Sequence, residues 1–176
     1  MIRCLLAVTV FIAGSQLAVA AEIAANGFVV RHERAVQAPP ARVYESLIQV
    51  GAWWNPDHTY SGDSKNLSID ARAGGCFCEK LPNGGVEHMR IVMVKRDDIL
   101  RMSGGLGPLQ GAGLAGSMTW RVSPAEGGSK LDLTKVVGGF LPGGFAKMTP
   151  AVEGMLGEQV DRLKRYVETG SPASPK

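Results

Sequence analysis

One short segment gathers most of the chain's reactive side chains. Cys76, Cys78, Glu79 and His88 lie on two strand-like runs, 76–81 and 86–95, separated by Pro82-Asn83-Gly84-Gly85. Asn-Gly is the strongest short hairpin signal, so the runs read as two arms of one hairpin. With Asn83-Gly84 as a two-residue turn, Glu79 falls opposite His88 and Cys78 opposite Met89. Glu79 and His88 are then either an acid/base couple or a plain cross-strand polar pair. The same register puts His88 and the cysteines on different faces, and a slip of one residue would reunite them. Cys76 and Cys78 with one histidine supply three ligands for zinc or copper(I), one short of a closed tetrahedral site. The plainer alternative is two buried thiols packed as small hydrophobes.

A second cluster is aromatic: Trp53, Trp54 and Tyr60, with His58 between them. Its functional reading puts one indole and the following loop at a cavity mouth. Its structural reading packs both indoles under the first helix. We expect one tryptophan in the core and the other at a rim. The run 104–116 is rich in glycine but lacks the Gly-Lys-Ser/Thr ending of a phosphate cradle, and a strand follows it. It reads as a flexible flap over a cavity entrance, against the alternative of an ordinary surface loop. With only His32, His58 and His88 in the chain, a hydrolytic triad has few ways to form.

The elements that position these residues follow from periodicity. Phe145, Met148, Val152, Met155, Leu156, Val160, Leu163 and Val167 recur at threes and fours, one stripe of a long helix. Thr149 is its expected N-cap and Pro150 its first residue, with Phe145 to Met148 a separate turn. Gly154 and Gly157 sit inside it, and the pattern gives no account of Gly154. Before it come a strand from Phe28 to Gln37 and a short helix from Pro40 to Val50, closed by Gly51. Strands follow at 67–69, the hairpin, 99–103, 117–122 and 130–137. This order is α+β: a curved antiparallel sheet with its helices on one face. One helix on a strongly bent sheet leaves an apolar gap, the default place for a ligand.

Of the 176 residues, the first twenty read as a secretory signal peptide: Met1-Ile2-Arg3, an apolar run from Leu5 to Ala13, and Ala18-Val19-Ala20 before cleavage after Ala20 or Ala21. Residues 21–170 are one domain and 171–176 a disordered tail. The formal net charge is +3 without a basic block, which argues against nucleic acid as a partner. No later segment is long and apolar enough to span a bilayer, so no stable membrane insertion is expected after cleavage. The even pair Cys76 and Cys78 in an exported chain suggests a disulfide. Extended residues two apart, however, are about 6.5–7 Å apart at Cα, the limit for one. Either the strand is distorted there or both thiols are free.

Several motifs in this order resemble a known family: Ala-Pro-Pro-Ala-Arg-Val-Tyr at 38–44, Trp53-Trp54, Gly74-Gly75-Cys76-Phe77-Cys78-Glu79, Leu106-Gly107-Pro108-Leu109-Gln110, and Glu158 to Lys164. From Phe28 to Glu168 the chain resembles the START-like (SRPBCC) superfamily. That superfamily includes polyketide cyclase/dehydrase and lipid-transport proteins and the C-terminal domain of the Hsp90 ATPase activator. The resemblance implies a helix-grip fold. It also implies binding of a small apolar or amphipathic molecule between sheet and helix, without a cofactor, and with the signal peptide this makes a periplasmic or secreted binding protein the expectation. The signal peptide argues against the co-chaperone role. The candidate ligand contacts are Trp53, Trp54, His58, Tyr60, Phe77, Trp120, Phe140, Met148 and Met155. A cyclase or dehydrase using His88 or Glu79 is the alternative, and a metal or redox site at Cys76 and Cys78 the second.

Overall fold

The computed structural model describes residues 21–174. The expected signal peptide lies outside the described residues, as do the last two residues of the expected tail. Eight strands form one antiparallel sheet: β1 (Glu22–Ala24), β2 (Gly27–Val36), β3 (Leu67–Ile69), β4 (Cys76–Leu81), β5 (Gly84–Lys95), β6 (Ile99–Ser103), β7 (Ala115–Ala125) and β8 (Gly128–Gly138). Their order in space is β1-β2-β8-β7-β6-β5-β4-β3. Three helices complete the fold: α1 (Pro40–Ile48), α2 (Val50–Trp53) and α3 (Thr149–Thr169). The result is the expected α+β helix-grip, with α3 laid on the inner face of the sheet. Strand β1 is exposed and too short to show a period, and so escaped the pattern.

Inward side chains alternate along each long strand, as a sheet wet on one face requires. On β7 they are Met118, Trp120 and Val122, and on β8 Leu131, Leu133, Lys135 and Val137, all buried. Two register shifts interrupt the ladder, one between β4 and β5 and one between β5 and β6. Bulges of this kind bend the strand that carries them.

The helices differ from expectation in three details. The segment 40–53 is two helices broken at Gln49, whose ψ of 47° leaves the helical region. Gly51 lies inside the second of them instead of closing the first. A Cβ there would stand 3.0 Å from the Ser64 carbonyl oxygen, so glycine admits the neighbouring loop. Thr149 is the first residue of α3, not its N-cap. The preceding turn already delivers the chain in helical conformation at Met148, and the Thr149 hydroxyl donates to the Phe145 carbonyl at 2.9 Å.

Glycine 157 has a packing reason. A Cβ on it would approach His32 Cε1 to 3.0 Å, and His32 Nε2 donates to the Glu153 carbonyl of α3 at 3.0 Å. Gly154 faces open space, and nothing in the structure explains it. Among residues 171–174, the Pro172 carbonyl accepts from Arg165 Nε at 3.0 Å.

Candidate functional site

The hairpin closes one residue earlier than Asn83-Gly84. Leu81 pairs with Gly84, so the turn is Pro82-Asn83, and Cys78 faces Glu87 and Glu79 faces Val86. Proline fixes φ for the first turn position, which favours this closure. A bulge then inserts His88 between Glu87 and Met89, since Phe77 pairs with Met89. The extra residue turns His88 inward, and its Nε2 lies 2.9 Å from Glu79 Oε2. The expected pair therefore forms through a bulge and not as directly opposed residues.

Glu79 is 2 % exposed and His88 4 %. The Glu79 carboxylate also accepts from the Ser61 backbone N–H at 2.6 Å and the Tyr60 N–H at 3.2 Å. Burial alone would raise its pKa. Hydrogen bonds from Ser61, Tyr60 and His88 outweigh burial and hold it below the ordinary carboxylate value. An ionised carboxylate only accepts, so Nε2 of His88 carries the proton it shares with Glu79. His88 Nδ1 is buried and has no partner among the described residues. The His88 ring lies parallel to that of Tyr60 at 5.9 Å and beside Phe77 at 5.1 Å.

These rings form part of a cavity of about 410 Å³. Its walls come from Trp54 to Tyr60, Leu67 of β3, Phe77 of β4, His88 of β5, Leu106 to Leu109, Lys135 of β8, and Met148, Ala151, Val152 and Met155 at the start of α3. The expected contacts Trp54, His58, Tyr60, Phe77, Met148 and Met155 all line it. Glu79 stands behind His88 and fastens the 60–61 loop from below.

Three expected contacts lie elsewhere. Both tryptophans are buried in the core, Trp53 at 1% and Trp54 at 3% exposure, rather than one in the core and one at a rim, and only Trp54 also lines the cavity. Trp53 Nε1 donates to the Ser46 carbonyl at 3.0 Å and its ring meets Trp120 edge-on at 6.0 Å. Trp120 is its buried partner, lying on β7 in the core. Phe140 is 84 % exposed, because the glycine-flanked loop between β8 and α3 turns outward and buries Leu141 in part instead. The 104–116 loop is in the expected place but is not a loose flap. Leu106, Leu109 and Leu114 are buried, and Gln110 Nε2 donates to the His88 carbonyl at 3.2 Å.

Cys76 and Cys78 are joined in a disulfide, with Cα atoms 5.4 Å apart. The strand is puckered enough to bring them below the extended spacing. Both face away from His88 and the cavity. Metal binding by cysteine needs free thiolates, so this pairing removes the proposed ligand set. It also replaces the picture of two buried free thiols.

Among the lining residues that the sequence reading did not name, Lys135 is the one with an ionisable side chain buried in the sheet. It is fully buried, on the inward row of β8, and reaches the cavity wall. Its signal was present: counting by twos from Leu131 and Leu133 arrives at Lys135.

An antiparallel sheet gripping one long C-terminal helix beside an apolar cavity defines the helix-grip class of fold. The chain belongs to the polyketide cyclase/dehydrase and lipid transport family, whose model matches residues 28–168. It is thereby a member of the SRPBCC superfamily, whose members typically bind hydrophobic ligands. No protein of curated function matches the sequence significantly.

Solved structures share the fold at low identity. A conserved protein of unknown function from Enterococcus faecalis superimposes with TM-score 0.62 at 17% identity, covering 89% of this chain and 80% of that one. The Aha1 dimer from Colwellia psychrerythraea gives 0.59 at 14% identity, covering 81% and 97%. DynU16, from the dynemicin biosynthetic locus, gives 0.57 at 20% identity, covering 82% of this chain and 48% of that chain.

Proposed function

We propose that this chain is an exported protein that holds a small apolar or amphipathic molecule between its sheet and the start of α3. The cavity of about 410 Å³ carries this reading. Its size falls among small-molecule sites, whereas a close-packed interior leaves few voids larger than a water. The few polar groups among its apolar walls suit a ligand with one polar end. Export is supported by the N-terminal sequence pattern and by the Cys76–Cys78 disulfide, since disulfides persist in oxidising compartments. Native mass spectrometry of purified protein, with solvent extraction, should find a bound amphipathic molecule at one per chain. Protein that is consistently empty, and that takes up no apolar dye, would overturn the reading.

A second reading uses the same cavity for catalysis. Its support is His88, a residue of the cavity wall whose ring is held by Glu79 and whose buried Nδ1 has no partner among the described residues. That is the arrangement of a general base with an orienting carboxylate. Turnover of a cyclisable or dehydratable substrate that survives both His88→Ala and Glu79→Gln would remove these residues from any mechanism.

A further inference from the structure

Lys135 occupies a place where a cation is unfavourable. In register it stands between Val30 of β2 and Met118 of β7, with the buried apolar Leu133 and Val137 on either side of it along the inward row of β8. Its side chain is 0 % exposed. Its Nζ is 3.5 Å from the Gly104 carbonyl oxygen and 3.8 Å from Met89 Sδ. An ammonium has three donors, and two long contacts, one to sulfur, do not satisfy them.

Among the described residues no carboxylate pairs with Lys135. The buried Glu79 is already taken by Tyr60, Ser61 and His88. Burial lowers the lysine's pKa to about 8, so most of the population is still charged at neutral pH. A buried charge without a counter-charge is among the least favourable features a protein interior can hold. This one lies in the wall of a cavity large enough for a guest.

We propose that the guest is an amphipathic anion whose acidic oxygen head, such as a carboxylate, lies against the sheet and pairs with Lys135 Nζ, while its apolar body extends toward Met148, Val152 and Met155 of α3. The proposal rests on the ligand-binding reading above and adds the chemistry of the head group. It also separates this cavity from one that takes neutral hydrophobes. An uncompensated ammonium repays the desolvation of an anion and gives an alcohol or ester far less. Without a cation, the carboxylate would be the poorer ligand of a matched pair, because it loses more hydration on entry.

Decanoate and 1-decanol, competing against the fluorescent apolar dye N-phenyl-1-naphthylamine at pH 7, test this directly. Wild-type protein should bind decanoate at least about tenfold more tightly than decanol, a difference of roughly 1.4 kcal/mol. In Lys135→Met that preference should collapse to unity or reverse. Lys135→Arg, which keeps the charge, should retain a preference for the carboxylate and guards against an effect of misfolding in the first variant. Wild type that binds both probes alike, or a Lys135→Met protein that still prefers decanoate, would overturn the head-group assignment and leave the cavity reading intact. Binding of neither probe nor the dye would overturn both.

Discussion

The two halves of α3 carry one uninterrupted apolar stripe in sequence but meet different surroundings. From Leu156 onward, the stripe residues Leu156, Val160, Leu163 and Val167 are buried, and the neighbours close in from both sides. Arg34 of β2 pairs with Asp161 at 2.7 Å. Arg162 donates to the Trp53 carbonyl at 2.8 Å, and Gln159 accepts from the Asn55 N–H at 2.8 Å. In the N-terminal half, Met148, Val152 and Met155 are only partly buried and face the cavity. Among the described residues, every side-chain tie from α3 to the sheet or to the α1–α2 region falls at Glu153 or later. The difference lies in what covers the stripe. The α1–α2 region fills the space beside one half, and no side chain fills it beside the other. The open space thus arises where a second packing partner is missing, while the filled part supplies the stability that lets the other stay open.

Substitution should separate the halves. Leu163→Ala should cost about 2–5 kcal/mol, the range for a buried leucine that leaves a cavity, read as a lowered midpoint in urea. Met155→Ala, beside a void that already exists, should cost less than half as much and should instead weaken ligand binding. Equal losses of stability at the two positions would erase the contrast.

Lys135→Met should stabilise the ligand-free protein. The folded-state pKa of about 8, against the ordinary lysine value of 10.5, corresponds to a penalty on the order of 3 kcal/mol below pH 8. A lowered lysine pKa means that the unfolded chain binds more protons between those two values. Stability of the wild type should therefore rise as pH climbs from about 8 to 10.5, and be lowest, from this group, below 8. Thermal melts across that window should show the rise in wild type and a flatter profile in the variant. A variant less stable than wild type at pH 7 would show that Lys135 is satisfied without a ligand.

The disulfide closes only a three-residue loop on the outer face of β4, away from both halves. Its removal by Cys76→Ser with Cys78→Ser should cost no more than about 1–2 kcal/mol by the loop-entropy relation and leave ligand binding unchanged. Loss of binding would mean that the β4 pucker shapes the cavity. The smallest effect is expected at Gly154, where Ala would meet nothing and should add roughly 0.5–1 kcal/mol of stability. Gly157→Ala, against the His32 ring, should not give that gain.

Most of this fold was legible because it rests on periods: the helical stripe, the alternation in β7 and β8, and the hairpin turn. The site was legible only where identity and place coincided. Trp54, His58, Tyr60, Phe77, Met148 and Met155 were found because bulky or adaptable side chains near turns and helix starts face cavities. Trp53 and Trp54 are adjacent, identical in type and both buried, and nothing in the sequence tells that Trp54 alone also reaches the cavity. The bulge that turns His88 toward Glu79 has no sequence signature, nor does the pucker that joins Cys76 to Cys78. Phe140 was misplaced because a large aromatic between glycines reads as buried when nothing reveals the loop's direction. Lys135 was missed for the opposite reason. Its phase on β8 was readable, but a lysine is expected to point outward.

The most direct test of the central claim, that the space beside the first turns of α3 is a binding site, is a titration of wild type and Val152→Trp with N-phenyl-1-naphthylamine, followed by fluorescence. Wild type should bind the dye saturably at one site per chain. Val152→Trp, with the cavity filled and its melting transition still cooperative, should lose that binding by at least tenfold. Dye binding that never saturates, or that survives in the filled variant, would contradict the account.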